Sequence, residues 1–213
     1  MKEIFSSDLD KMYTRTLQLL KQHRREGGQE DTDEIFNAHL QGILHTLLDE
    51  WSTHNDTVTR WRPTLFTQNG EVFLLEAYDK PSHVKVQVGI HRERVFLEMS
   101  LSRPENLLRM ADDFWEEWQE LHHYGHFEIV ETEVFSPEVT RRFPELFTGS
   151  MSVLAELMRD MILCPVMNGH PMTPGHLSVT WSPAKYTFTQ IRHLGCLVFE
   201  KMFRLNARLK KGK

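Results

Sequence analysis

The stretch Val84-Lys-Val-Gln-Val-Gly-Ile-His91 alternates apolar residues with other residues along its whole length. After the polar turn Arg92-Glu-Arg94, the stretch Val95-Phe-Leu-Glu-Met-Ser-Leu101 places apolar residues at every second position again. A period of two residues is typical of a β-strand with one buried face. The turn Asn69-Gly70 and the run Glu71 to Tyr78 precede these strands. Together these segments predict an antiparallel meander.

Helical periodicity lies on both sides of this meander, because apolar residues recur there every three or four positions. The predicted helices run from a cap at Ser7 to Gly27-Gly28, from a cap at Asp31 to Asp33 up to Trp51, and over Pro104 to Leu121, Glu145 to Leu163 and about Lys185 to Leu209. Further strands are predicted at Phe127 to Val134 and Leu177 to Trp181. The order of elements predicts an α+β fold, with an antiparallel β-sheet meander packed mainly on one face by amphipathic helices.

A chain of 213 residues is within reach of one hydrophobic core, so we expect a single α+β domain over residues 1–213. Its parts would be an N-terminal helical pair at about 7–54, and the sheet and helices at about 62–209. An apolar fraction of 40% and a charged fraction of 26% are ordinary for globular proteins. The first ten residues lack the apolar core of a secretory signal, and apolar runs are short. We therefore expect a soluble, cytoplasmic protein that does not span a membrane.

The motifs that usually reveal an enzyme are missing from the sequence. It contains no phosphate-binding G-x-x-x-x-G-K-[ST] loop, no G-x-G-x-x-G, no G-x-S-x-G and no H-E-x-x-H. Cys164 and Cys196 lack C-x-x-C spacing, and we expect both to be reduced, mostly buried thiols. These absences weigh against an enzyme without excluding one that lacks a recognisable motif, and we expect no cofactor.

Four histidines are candidates for metal or ligand contacts. His122 and His126 are weak candidates for metal ligands, but Gly125 is expected to end their helix, and histidine also favours helix C-termini through the macrodipole. His170 and His176 belong to the segment from Gly169 to His176, which has two prolines. Such a segment is either an ordered binding loop or a plain connector to the next strand.

Two basic regions are candidates for binding an acidic partner. In the first, Arg60, Trp61 and Arg62 could stack on a base or contact carboxylates, or they could lead into a strand with the tryptophan in the core. The second is the C-terminal helix, where the candidate residues are Arg204, Arg208, Lys210 and Lys211. From residue 192 onward the chain carries seven bases and one acid, although the whole chain has a net charge of −5. These bases could contact nucleic acid, an acidic protein, or the acidic body of the same molecule.

The function that these observations favour is a non-enzymatic regulatory or adaptor module that binds another protein. The missing catalytic motifs and the uneven charge distribution support this expectation. The alternative is a nucleic-acid-associated protein, or an enzyme without a recognisable motif. An acidic ligand or nucleic acid would then contact the C-terminal basic helix.

Overall fold

The computed structural model describes residues 11, 13–18, 21, 30–54, 64–68, 72–80, 84–91, 94–130, 166–167, 170–171 and 176–212. Residues 13–18 are helical. The later helices are α1 (Glu30–Thr53), α2 (Asp112–Glu120) and α3 (Phe188–Lys211), with short 3₁₀ helices at Pro104–Arg109 and Leu121–His123. The strands are β1 (Thr64–Gln68), β2 (Val72–Asp79), β3 (Val84–His91), β4 (Arg94–Ser100), β5 (His126–Val130), β6 (Val166–Met167), β7 (His170–Pro171) and β8 (His176–Trp181).

Six of these strands form one antiparallel sheet in the order β1-β2-β3-β4-β8-β5. The first four are consecutive in the chain, which confirms the predicted meander. The last strand in sequence, β8, lies between β4 and β5 and pairs with both. A separate two-stranded sheet joins β6 and β7. The α+β class is confirmed.

The described helices cover one face of this sheet, with α1 against β2 and β3, and α3 against β4 and β8. The face consists of the apolar alternate positions of the strands, including Val86, Val88 and Leu97, all fully buried. The helices also contact each other closely: a Cβ on Gly195 of α3 would lie 2.2 Å from the Trp51 ring of α1. The absence of a side chain at Gly195 therefore allows the two helices to pack around this ring.

The helix predicted from Pro104 to Leu121 is wrong in one respect, because it is two elements. A 3₁₀ helix ends at Arg109, and α2 begins at Asp112 after Ala111, whose extended φ of −79° and ψ of 169° interrupt the helical path. Two acids in the first turn of α2 favour a helix start at this point through the macrodipole. Leu107 of the 3₁₀ helix and Phe114 of α2 are both buried in the same core cluster. The apolar periodicity of the sequence therefore continues across the break between the two helices.

Other predicted boundaries shift by small amounts. Residues 31–33 lie inside α1 and do not cap it, since the helix already includes Glu30. The last helix begins at Phe188, where Thr187 accepts from the Gln190 backbone N–H and Gln190 receives the Thr187 N–H in return, a capping box. The predicted cap at Ser7, the Gly27-Gly28 stop, the helix from 145 to 163 and residues 131–134 of the predicted strand lie outside the described residues. The single-domain organisation stays a prediction.

The second face of the sheet differs from the expectation of one buried face. Most of its positions on the central strands are polar, yet Gln87, Glu98 and Ser178 are fully buried and Thr180 is 7% exposed. Leu74 and Phe96 are buried on the same face and lie outside the core cluster that the helices share with the first face. The alternation in the sequence therefore separates an apolar, buried face from a largely polar face that is buried only in part.

In the described part of the chain, no helix combines the length and the apolar character that crossing a bilayer requires.

Candidate anion-binding pocket

A cavity of about 440 Å³ opens at the end of the second face where β4 begins, β8 ends and β5 begins. We call it the cationic pocket. Its lining residues come from these three strands and from the turn that leads into α3; they are Arg94, Gly125, His126, Thr180, Ser182, Lys185 and Tyr186.

The strand pairing explains why residues far apart in sequence meet at this pocket. Thr180 of β8 is paired with Phe96 on one side and with His126 on the other. Arg94 precedes Phe96 by two positions and therefore lies on the same face of the sheet. Neighbouring strands are about 4.8 Å apart, so the three strands bring Arg94, Thr180 and His126 to one end of one face.

A tight turn after β8 supplies the other side chains. The Ser182 carbonyl accepts the backbone N–H groups of Lys185 at 2.9 Å and of Tyr186 at 3.0 Å. These bonds fold the chain back before the capping box of α3 begins. As a result, Ser182, Lys185 and Tyr186 line the same cavity although the turn separates them.

Gly125 shapes the opposite wall, because the space beside it is already filled. A Cβ at this position would lie 2.6 Å from a methyl group of Val179 and 2.8 Å from the Trp181 indole nitrogen. That nitrogen donates a hydrogen bond to the Tyr124 carbonyl at 2.6 Å. The close approach of the Tyr124–Gly125 backbone to β8 therefore requires glycine, and it positions the start of β5 at the pocket.

The electrostatics of the lining are one-sided. Arg94 and Lys185 carry permanent positive charges, and none of the described residues that line the pocket is a carboxylate. Both side chains are exposed, and neither forms an ion pair within the part of the chain that the structure describes. The Thr180 hydroxyl is buried and has no hydrogen-bond partner among the described residues. The pocket thus offers cations and hydroxyl groups to a ligand that carries negative charge.

Further along the same face lies a set of buried and half-buried polar side chains, which we call the polar row: Glu76, Lys85, Gln87, Glu98, His176 and Ser178. The Gln87 amide donates to Glu76 at 3.0 Å, and Lys85 pairs with the same carboxylate at 2.9 Å. His176 Nδ1 is 3.9 Å from Glu98 Oε1, which is beyond hydrogen-bond distance. Polar contacts therefore link Glu76, Lys85 and Gln87 directly, whereas the Ser178 hydroxyl has no hydrogen-bond partner among the described residues.

Burial changes the acid–base behaviour of His176. The pKa of His176 is lowered from 6.5 to about 4, mainly by removal of the imidazole from water and also by the positive charge of Lys85, while the charge of Glu76 opposes the shift. The imidazole is therefore neutral at pH 7. His176, predicted as a binding residue in a loop, is the first residue of β8 and belongs to the polar row, not to the lining of the cationic pocket.

Two of the four basic residues predicted on the C-terminal helix, Arg204 and Arg208, contact acids of α2 within the same molecule. Moving along α3, Lys201 pairs with Glu120 at 2.6 Å, Arg204 with Glu117, and Arg208 with Asp113 at 2.9 Å. We call these contacts the charge ladder. The contact with Arg208 lowers the pKa of Asp113, and the contact with Lys201 lowers that of Glu120. Of the three partners weighed for these bases, the structure brings Arg204 and Arg208 to the acidic body of their own chain.

The remaining predicted residues are not brought together. Lys210 and Lys211 are exposed in the last turn of α3. His122 contacts the Gln119 carbonyl, and no three potential metal-ligating side chains of His, Cys, Asp or Glu form a group among the described residues. His170 belongs to β7. Arg60, Trp61, Arg62 and Cys164 lie outside the described residues. Cys196 is a buried free thiol, and burial raises its pKa to about 11.

Most residues of the cationic pocket were not predicted from the sequence. Only His126 was singled out, as a metal candidate, whereas Arg94 was interpreted as part of a polar turn and Lys185 as the start of a helix. Each is an ordinary polar residue in its local segment. No local signal in the sequence could have found them, because the pairing of β8 with β4 is what brings both residues to one end of the sheet.

Comparison with protein-family models, curated proteins and solved structures finds no match for this chain.

Proposed function

We propose that this protein is a non-enzymatic binding module for a small anionic ligand, which it holds in the cationic pocket. The observation that carries the proposal is the composition of the described lining, in which Arg94, Lys185 and His126 occur together with three hydroxyl groups and without a carboxylate. Arginine and lysine side chains that lack an internal ion-pair partner can form charge-assisted hydrogen bonds with a ligand.

The size of the cavity supports a small molecule as the ligand. A volume of about 440 Å³ lies within the range of small-molecule pockets, roughly 300–1,000 Å³. The chain as a whole has a net charge of −5, which disfavours general attraction to a polyanion. A local positive pocket on an acidic protein favours selective capture of a small anion over non-specific binding of nucleic acid.

We also propose that ligand binding regulates an interaction with a protein partner, and that the protein is cytoplasmic. The described surface gives little support to apolar protein docking, since Tyr78, at 42% exposure, is its one exposed large hydrophobic side chain. Nucleic-acid binding through the C-terminal helix has less support than the pocket, because Arg204 and Arg208 already contact acids of α2.

The test is calorimetric titration of the full chain with benzoate and phenyl phosphate as anionic probes and benzyl alcohol as the neutral probe. We expect the anions to bind and the alcohol not to bind. Arg94→Gln and Lys185→Gln should each weaken binding about fivefold to tenfold, because each removes one charged donor. Both side chains are exposed, so the variants should melt near the temperature of the parent protein.

The matched control is Arg109→Gln, which removes an exposed arginine after the opposite end of β4 and outside the pocket lining. It should leave anion affinity unchanged. If neither anion binds, or if Arg109→Gln weakens binding as much as Arg94→Gln, the pocket is not the binding site and the proposal fails.

A further inference from the structure

We infer that the cationic pocket selects a dianionic oxyanion, the terminal group of a phosphate monoester, over a monoanionic carboxylate or sulfate ester. The inference rests on the proposed function, because it specifies the ligand of the same pocket. Its basis is the number and the arrangement of the charges and donors that line the cavity.

The number of positive charges in the pocket favours a dianionic ligand. Arg94 and Lys185 bring two permanent positive charges to the lining, and no residue of the lining that the structure describes carries a negative charge. A phosphate monoester carries nearly two negative charges above neutral pH, because its second pKa is about 6. It therefore balances both cations, whereas a carboxylate or a sulfate ester leaves one of them without a counter-charge.

The hydrogen-bond donors of the pocket also come from several directions. Arg94 extends from β4, and His126 from β5 on the opposite side of β8. Thr180 lies between them, and Ser182, Lys185 and Tyr186 come from the turn beyond the strand end. Donors therefore approach from both sides and from one end. A tetrahedral group with three terminal oxygens can accept from all these directions, while a planar carboxylate has two oxygens in one plane.

The buried hydroxyl of Thr180 offers a further hydrogen-bond donor to the ligand. The residue is 7% exposed, lines the cavity, and its Oγ1 has no hydrogen-bond partner among the described residues. A buried hydroxyl without a partner is unfavourable, and an anionic oxygen at the base of the cavity would accept its proton in a hydrogen bond. This donor is fixed in the sheet and so contributes to recognition without loss of side-chain freedom.

The experiment compares three probes that share a phenyl ring and differ in their anionic group. Phenyl phosphate is tetrahedral and dianionic at pH 8, phenyl sulfate is tetrahedral and monoanionic, and benzoate is planar and monoanionic. We expect phenyl phosphate to bind at least about tenfold more tightly than either of the others at pH 8. Equal affinity for phenyl phosphate and phenyl sulfate would overturn the inference on charge. Equal affinity for phenyl phosphate and benzoate would overturn it altogether.

These outcomes are separate from failure of the proposed function, which would appear as no binding by any of the three probes. A variant sharpens the test: Lys185→Gln should reduce the preference for phenyl phosphate over phenyl sulfate to about twofold or less, since one permanent charge remains. Lys185→Arg should retain the preference, and Lys210→Gln, at the far end of α3, is the matched control. A preference that survives in Lys185→Gln would contradict the charge argument.

Discussion

The two faces of the central sheet differ in chemistry, although both have fully buried side chains at their centre. On the face under α1 and α3, Val88, Leu97 and Val179 are neighbours across three strands, and all are fully buried. On the other face, one position along, Glu98 and Ser178 are also fully buried. The comparison teaches that a period of two residues reports the chemistry of each face of a strand. Exposure to solvent is a separate property, which the pattern alone does not determine.

The faces should therefore contribute to stability in different ways. Burial of apolar side chains under the helices is favourable, at about 25 cal/mol for each Å² removed from water. In the polar row, the Ser178 hydroxyl and the side-chain amide oxygen of Gln87 have no hydrogen-bond partner among the described residues. A buried polar atom in that state costs roughly 1–3 kcal/mol. We expect the apolar face to stabilise the fold and the polar face to be retained for other reasons.

The largest expected effect is a charge on the apolar face. Leu97→Asp places a carboxylate among apolar side chains with no partner there, and it should lower the free energy of unfolding by about 3–5 kcal/mol. The matched control, Leu97→Met, keeps the apolar character and should cost less than about 1.5 kcal/mol. Denaturant unfolding measures both. If Leu97→Asp were as stable as the control, the assignment of this face to the core would be wrong.

The next effect is a pH dependence that comes from the polar row. His176 has a pKa of about 4 in the fold and 6.5 as the ordinary value, so between these pH values the unfolded chain binds the extra proton. Its contribution to stability is fully present above pH 6.5 and is lost as the pH falls toward 4. The expected loss is about 3 kcal/mol, at 1.4 kcal/mol for each unit of the pKa shift.

The measurement is the free energy of unfolding of the parent protein and of His176→Gln at several pH values from 4 to 8. Their difference should be constant above pH 6.5 and should shift in favour of the variant below it. Glu76, Glu98 and Lys85 face His176 and are present in both proteins, so their titration largely cancels in the difference. Parallel curves over the whole range would show that His176 protonates in the fold as readily as in the unfolded chain.

A smaller effect separates two adjacent residues of β8 that lie on opposite faces. Val179→Ala removes two methyl groups from the apolar face and should cost about 1–3 kcal/mol. Ser178→Ala removes a buried hydroxyl without a described partner and should change stability by less than about 0.5 kcal/mol, or increase it. Unfolding by urea compares them directly. A cost for Ser178→Ala that equals the cost for Val179→Ala would mean that the polar face stabilises the fold as strongly as the apolar face.

Much of the fold could be predicted from the sequence, because the decisive signals are local. The alternation from Val84 to Leu101 predicts β3 and β4, and the apolar periodicity up to Leu209 predicts α3. The position of β8 between β4 and β5 is not a local property, since it depends on pairing with Arg94–Ser100 across more than seventy residues of chain. The order of the strands therefore had to come from the structure.

The candidate site was less predictable for the same reason. Arg94 begins a hairpin strand and Lys185 lies in a turn, and neither segment has a composition that differs from an ordinary loop. Their charges become meaningful only when the sheet places them around one cavity. The basic C-terminal helix gave the opposite result. Its charge was evident in the sequence, but the acids that pair with Arg204 and Arg208 lie on another helix, and the pairing needed the packing of α2 against α3.

The smallest expected effect concerns the charge ladder, which lies outside both faces of the sheet. Glu117 is its central acid: it pairs with Arg204 and also lies 3.8 Å from Arg208. Ion pairs at a protein surface contribute little, because water and salt screen them and long side chains lose freedom. Glu117→Gln should therefore lower the free energy of unfolding by less than about 1 kcal/mol at low salt, and by less still in 1 M NaCl. The matched control is Glu116→Gln, an exposed neighbour outside the ladder, which should have no measurable effect.

A loss of unfolding free energy that exceeds 1 kcal/mol and persists in high salt would show that the charge ladder is part of the structure that holds α2 against α3. A small, salt-sensitive loss would leave Arg204 and Arg208 as bases that can exchange the acids of α2 for another acidic partner at little cost to the fold.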